Sequence, residues 1–146
     1  MNPRRSLRPV FLLLLLLPIL LAGGCTGVPE GIEPVRGFDA ERYRGTWHEI
    51  ARLDHSFERG REQVTATYSR RDDGGLTVLN RGYDPAKGVW KTAEGLAYFQ
   101  STPDVGSLKV SFFGPFYGGH HVFALDPEYR WAMISGRSAA RCGISA

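Results

Sequence analysis

From residue 46 onward, apolar and polar side chains repeatedly alternate along this chain with a period of two. The clearest example is Gln63–Arg70, in which valine, alanine and tyrosine alternate with threonine and serine. Successive side chains of a β-strand point to opposite faces of a sheet, so this pattern predicts strands with one buried and one solvated face. The predicted strands are Thr46–Leu53, Gln63–Arg70, Leu76–Tyr83, Val89–Gln100, Ser107–Phe113, His120–Leu125 and Arg130–Ser135.

Short runs of turn residues connect these seven segments. Asp72–Gly75 is a strong hairpin signal, Gly118 and Gly119 are read as part of a loop, and the one helical indication is Phe38–Tyr43. Consecutive hairpins with one apolar face predict an all-β fold, an up-and-down antiparallel sheet that curls to bury its inner face. A sandwich of two sheets is the alternative, because periodicity does not distinguish the two.

The N-terminal segment has the features of an export signal. Three arginines precede the apolar run Val10–Ala22, which at 13 residues is shorter than the roughly 20 that cross a bilayer as a helix. The sequence Leu21–Cys25 then resembles the lipobox of bacterial lipoproteins. An ordinary secretory signal with a chance cysteine is the alternative.

The lipobox resemblance implies three segments. Residues 1–24 would be removed as a lipoprotein signal peptide, and residues 25–36 would form a lipidated N-terminus, acylated at Cys25, with a flexible spacer rich in glycine and proline. Residues 37–146 would form the domain. Thr26 stands where similar lipoproteins kept in the inner membrane usually have Asp, so we expect anchoring in the outer membrane, facing the periplasm.

Removal of the signal also balances the charge. Three of the 18 basic residues and none of the 15 acidic residues lie in residues 1–24. The remainder has no concentrated positive charge, which argues against a nucleic-acid partner. Acylation of Cys25 would leave Cys142 without a partner, so no intrachain disulfide is expected.

Several sequence blocks resemble the lipocalin family. Gly45-Thr46-Trp47 matches its G-x-W signature, with Gly45 and Trp47 as the structural residues, and the continuation to Gly60 looks like the bacterial branch. Further similar blocks follow in order: Val64–Tyr68, Asn80–Tyr83, Val110–Gly119 and Leu125–Arg130. The resemblance covers residues 38–136 and implies an eight-stranded barrel with a ligand cavity open at one end.

The resemblance stops after Gly136. Lipocalins continue with an eighth strand, an arginine that packs over the signature tryptophan, and a helix, whereas Arg137–Ala146 has little strand pattern. We therefore expect a truncated or frameshifted C-terminus, with an irregular eighth strand as the alternative. Seven strands would leave two unpaired sheet edges. Each edge could pair with another chain, so a homodimer is possible.

Every second residue of a strand points to the same face, and the resemblance to lipocalins indicates which of the two sets points inward. This predicts which side chains line the cavity. The small residues in this set, together with Gly95, indicate room for a slender apolar ligand, while Tyr68 and Asn80 would contact its polar head group. Each residue singly could equally be an ordinary core residue. The predicted lining residues are Val64, Ala66, Tyr68, Val78, Asn80, Ala93, Ala97, Phe99, Val110 and Phe112.

The family resemblance implies reversible binding of fatty acids or lysophospholipids, for storage or transport. An enzyme is not expected, because no G-x-S-x-G motif is present and the adjacent His120 and His121 must point to opposite faces of a strand. No catalytic residue, metal or cofactor is therefore predicted. A structural or interaction lipoprotein, or a non-functional truncated product, is the alternative.

Overall fold

The computed structural model of the chain describes residues 26–52 and 60–136. Seven antiparallel strands form one continuous sheet in sequence order, preceded by a single helical turn. The elements are α1 (Ala40–Tyr43), β1 (Gly45–His48), β2 (Glu62–Arg70), β3 (Leu76–Asp84), β4 (Val89–Phe99), β5 (Ser107–Phe113), β6 (Phe116–Leu125) and β7 (Ala132–Ser135). The predicted all-β, up-and-down sheet is confirmed, and it curls as a half-barrel rather than forming a sandwich.

Within the described residues, β1 and β7 are the two edges of the sheet. No helix in this part of the chain is long and apolar enough to cross a membrane. The predicted signal segment with Cys25, the residues 53–59 that include His55, and the tail from Arg137 with Cys142 lie outside the described residues.

Because consecutive strands run in opposite directions, alternate connections lie at the same end of the sheet. The connections at residues 71–75, 100–106 and 126–131 share one end with α1, which we call the closed end. Those that leave β1, β3 and β5 share the opposite end, which we call the mouth.

Aromatic rings fill the closed end. Tyr43, at the end of α1, is only 1% exposed, and its ring centroid lies 4.9 Å from that of Phe38, 4.8 Å from that of Trp47 and 5.0 Å from that of Tyr68. The indole N–H of Trp47 donates a hydrogen bond of 2.8 Å to the Tyr43 carbonyl. The G-x-W tryptophan therefore ties the first strand to the helical turn that precedes it.

The predicted loop at Gly118 and Gly119 is wrong, because both glycines belong to β6. They pair with Val110 and Lys109 of β5, so the strand begins at Phe116 rather than at His120. A Cβ at position 119 would lie 2.6 Å from Nε2 of His121 and 3.2 Å from the Thr26 carbonyl oxygen. Glycine here permits close approach of another backbone rather than a turn.

Two other strand limits differ from those predicted by more than one residue. The first strand ends at His48 rather than at Leu53, although the Glu49 amide still donates to the Val64 carbonyl at 2.9 Å. The last strand begins at Ala132 rather than at Arg130, because Arg130 belongs to the turn that Asp126 organises.

Residues 26–36 lie along the outside of β5 and β6, and we call this segment the strap. Val35 donates to the Val122 carbonyl at 2.8 Å and accepts from the Gly106 amide at 2.9 Å. Nearer its start, the Thr26 carbonyl accepts a 2.8 Å hydrogen bond from the side-chain amide of Gln100. These hydrogen bonds join the segment predicted to be a flexible spacer to the sheet at Val35 and at Thr26.

The hydrogen bonds of the Asp126 carboxylate at the closed end should make the stability of the fold depend on pH. It accepts hydrogen bonds from the Arg130 side chain at 2.7 and 2.9 Å and from the Glu128 and Arg130 amides, which together lower its pKa to about 2, with Arg130 the largest cause. The folded state therefore binds fewer protons than the unfolded state between pH 4 and pH 2, and stability falls as the pH drops through that window. Asp73, with its pKa lowered to about 2 chiefly by Arg71, adds to the same loss.

We expect Asp126→Asn to flatten the fall in the urea midpoint between pH 4 and pH 2. Urea unfolding at fixed pH values would measure the effect. Parallel pH profiles for the variant and the unaltered chain would contradict this role of Asp126.

Candidate functional site

The strand register places the predicted lining residues side by side on the concave face of the sheet. Ala66 of β2 pairs with Asn80 of β3, which in turn pairs with Ala93 of β4. The next row toward the closed end joins Tyr68, Val78 and Gly95 in the same way, and beyond it Ala97 pairs with Val110. These rows are the candidate binding surface.

Burial divides this concave face into two zones. Tyr68, Val78 and Ala97 are at most 5% exposed and belong to the closed-end core. The others are half-buried, and several of them pack against that core, with Phe99, the last residue of β4, doing so at the closed end. The half-buried predicted lining residues are Val64, Ala66, Asn80, Ala93, Phe99, Val110 and Phe112. The core residues and Phe99 therefore form a floor, and the other half-buried residues form walls above it.

A polar but uncharged cluster lies in this floor. Nε2 of His120 lies 3.4 Å from the Tyr43 hydroxyl and 3.5 Å from the Tyr68 hydroxyl. Burial lowers the pKa of His120 to about 4, with a smaller contribution from neighbouring His121, and burial also raises the pKa values of both tyrosines. All three side chains are therefore neutral near pH 7, and Tyr68 already has a hydrogen-bonding neighbour within the protein.

His120 was not among the predicted site residues, although a sequence signal for it existed. It shares strand phase with Gly118, which pairs with the inward-facing Val110. Because Gly118 and Gly119 were assigned to a loop, the alternation of inward and outward side chains was not followed from Gly118 to His120. His121 does point the other way, as predicted, because its Nδ1 lies 3.0 Å from the Ser107 hydroxyl and its Nε2 lies 3.2 Å from the Gly27 carbonyl of the strap.

The expectation that Gly95 leaves room on the wall is wrong. Two carbons of the Phe112 ring and the Ser111 carbonyl oxygen each lie 2.8 Å from the position that a Cβ of Gly95 would occupy. Phe112 of the neighbouring strand therefore fills the space. The remaining small side chains of the predicted wall nearer the mouth are those of Ala66 and Ala93.

Asn80 is the polar group of that wall. Its side-chain oxygen is enclosed, and among the described residues it has no hydrogen-bond partner. An enclosed amide without a partner is unfavourable, since desolvation is not compensated. A hydrogen-bond donor of a ligand placed between Ala66 and Ala93 would supply the bond that the Asn80 oxygen lacks.

A hollow of about 400 Å³ opens at the mouth beside this wall. Arg52 forms an ion pair with Glu49 and donates through its second terminal nitrogen to the Arg61 carbonyl at 3.2 Å. The hollow is lined by Glu49, Ile50, Ala51, Arg52, Arg61, Gln63 and Val64. The entrance is thus charged, whereas the wall below it is mainly apolar.

Residues 26–52 and 60–136 contain no candidate metal-binding cluster. No three His, Cys, Asp or Glu side chains in these ranges are arranged to hold an ion. The arrangement is suited to binding an apolar molecule rather than to activating water or a nucleophile.

Comparison with known proteins gives consistent matches. The family described as "Lipocalin-like domain" matches residues 38–142. Outer membrane lipoprotein Blc of Escherichia coli strain K12 is 63% identical over 108 residues, which cover 74% of this chain and 61% of that protein. The protein of the same name from Vibrio cholerae is 56% identical over 131 residues, covering 89% of this chain and 75% of that protein.

A solved structure shows the same fold. Insecticyanin of the tobacco hornworm Manduca sexta matches with a TM-score of 0.60 and 25% sequence identity, covering 75% of this chain and 59% of that one. The chain spans about 61% of the length of the Escherichia coli relative.

The contact between Gly95 and Phe112 generates a stability prediction. We expect Gly95→Ala to lower the free energy of unfolding by about 1–3 kcal/mol, because the new methyl group would overlap the ring and the Ser111 carbonyl. Gly82→Ala is the matched control on the same face, since its nearest neighbour, at 3.2 Å, is the flexible side chain of Arg61. Urea unfolding of both variants would measure the difference, and equal effects would contradict the proposed packing.

Proposed function

Because this chain belongs to the lipocalin family, in the branch of bacterial outer-membrane lipoproteins, we propose that it is a membrane-anchored carrier that reversibly binds fatty acids or lysophospholipids. Membership of this family also makes it a binding protein and not an enzyme. Binding and release would involve no change in covalent bonds.

The observation that carries the proposal is the two-zone concave face. Its closed-end floor is sealed by the Tyr43 ring cluster, and its walls toward the mouth combine the small side chains of Ala66 and Ala93 with a single amide. Such a surface suits an elongated apolar molecule with few polar atoms. Burial of about eight methylenes would contribute about 6 kcal/mol, before the cost of association.

Asn80 is the residue we assign to the ligand's polar group. Tyr68, predicted to share this role, is 5% exposed, and its hydroxyl faces His120. Asn80 is half-buried on the wall, and its amide can donate to a carboxylate or accept from a hydroxyl. The free hydroxyl of a lysophospholipid would donate to the unpaired Oδ1 of Asn80, whereas a fatty acid carboxylate would accept from its Nδ2.

Acylation of Cys25 would provide the anchor. The names of the Escherichia coli and Vibrio cholerae relatives place those proteins in the outer membrane, which supports the same location for this chain. We further propose that it faces the periplasm, since Thr26 follows the cysteine where retention in the inner membrane would favour Asp. A lipid carrier held there would stay close to its ligands.

Blocking the wall tests the binding site. We expect Ala93→Leu to weaken binding of a fluorescent fatty acid at least tenfold, because the added volume would occupy the space between Asn80 and the mouth. Thr92→Leu is the matched control, since Thr92 is exposed on the opposite face of β4. Fluorescence titration of both variants would decide, and unchanged affinity in a folded Ala93→Leu variant would contradict this site.

Removing the amide tests the assignment of the polar group. We expect Asn80→Leu to weaken binding of the same fatty acid about tenfold, since a hydrogen bond to a charged group contributes about 1.5–3 kcal/mol. Binding of N-phenyl-1-naphthylamine, an apolar dye without an acidic head group, should change less than twofold. Equal losses for both ligands would show that Asn80 only lines the wall.

A further inference from the structure

Five large apolar side chains are exposed at the mouth, while the others exposed in the described residues lie in the strap (Val28), on β3 (Leu79), in the last closed-end connection (Trp131) and on the edge strand β7 (Met133 and Ile134). Ile50, beyond β1, is 94% exposed, and Phe113 and Phe116, at the tip of the β5–β6 hairpin, are 66% and 65% exposed. Val89 and Trp90, at the start of β4, are 45% and 43% exposed. We call these five residues the mouth rim. In the described closed-end connections, Trp131 is the one comparably exposed large apolar side chain, at 52%.

Basic groups accompany the rim on the β3–β4 hairpin. The Arg81 guanidinium lies 4.0 Å from the centroid of the Trp90 ring, and that ring packs against Tyr83 at 5.3 Å. Lys91 follows Trp90, with its ammonium 3.2 Å from an Asp84 carboxylate oxygen. Tryptophan and tyrosine beside arginine and lysine are characteristic of the interface between a membrane and water.

The strap sets the direction of the anchor. At its closed-end limit, the Phe38 amide donates to the Asp104 carbonyl at 2.8 Å, and Val35 pairs beside Val122. At its other limit, the Thr26 carbonyl lies against Gly119, which is nearer the mouth than Val122 because β6 begins at the mouth. The strap therefore advances from the level of Val122 to that of Gly119, partway toward the mouth, and Thr26, the neighbour of Cys25, lies on the barrel wall, where its carbonyl also accepts from Gln100 just beyond the closed end of β4.

The distance from the Thr26 contact at Gly119 to the mouth end of β6 is short. Gly119 is three residues from Phe116 along β6, which corresponds to about 10 Å at 3.3 Å per residue. Apolar groups of interfacial proteins enter a membrane by about 5–10 Å. An acyl group on Cys25 and the side chains of the mouth rim can therefore reach the same bilayer together.

We propose that the barrel docks mouth first on the lipid bilayer, with the mouth rim inserted among the lipid head groups. This inference rests on the proposed acylation of Cys25. Hydrogen bonds from Gln100 to Thr26 and between His121 and Gly27 restrict the tether, so that anchoring also orients the barrel. A lipid would then pass between the membrane and the concave face without crossing bulk water.

The two exposed tryptophans at opposite ends provide the test. The full acylated chain is reconstituted in vesicles of phosphatidylethanolamine and phosphatidylglycerol that carry brominated acyl chains, which quench tryptophan fluorescence at short range. Trp131→Phe retains Trp90 at the mouth, and Trp90→Phe retains Trp131 at the closed end, while Trp47 is common to both. We expect quenching at least threefold greater in Trp131→Phe than in Trp90→Phe. Equal quenching, or greater quenching in Trp90→Phe, would overturn mouth-first docking.

Flotation of the vesicles separates docking from anchoring. If the chains float with the vesicles but Trp90 is not quenched, the result contradicts mouth-first docking and supports the lipid anchor. If the chains do not float, the anchor fails, and the docking inference fails with it. A double variant, Phe113→Ser with Phe116→Ser, should still float while quenching of Trp90 decreases at least twofold. Undiminished quenching in this variant would exclude insertion of the β5–β6 tip.

Discussion

The packing of Tyr43 between Phe38, Trp47 and Tyr68 is the contact on which the rest of the structure depends. A helix of four residues has no independent stability, because its few hydrogen bonds do not offset the entropy lost in forming it. The ring contacts and the hydrogen bond from the Trp47 indole hold this turn across the end of the sheet. They close one end of the half-barrel, so within the described residues a ligand can reach the concave face from the mouth or past the edge strands β1 and β7.

Local alternation predicted most of the sheet. The segments that became β2 to β5 were predicted to within one residue at each end, because each belongs to a hairpin whose pairing and turn are close in sequence. The error at β6 has a non-local cause. Gly118 and Gly119 have the composition of a loop, but Gly119 is in the ladder at the point where the Thr26 backbone crosses it. No pattern near residue 119 reports contact with a segment more than ninety residues away.

The candidate site shows the same division between local and non-local information. Strand phase placed the ten predicted side chains on one face, but it did not reveal how they divide between floor and wall. That division depends on the Tyr43 ring cluster, which comes from outside the sheet. The space expected at Gly95 is filled by Phe112, a contact set by the register between β4 and β5 and by the direction of one ring. The pairing of His120 with two tyrosine hydroxyls likewise joins residues from three separate segments.

The strap also determines how mechanical load enters the barrel. A force on the anchor would be transmitted through the carbonyls of Thr26 and Gly27 to the side chains of Gln100, just after β4, and His121 of β6, before it reached α1 or β1. The first bonds under tension would therefore be two side-chain hydrogen bonds on the outer wall, not the aromatic contacts of the core. Release of these two bonds would lengthen the tether by several residues while the sheet stayed folded. Under load, the strap would therefore detach from the wall before the closed end opened.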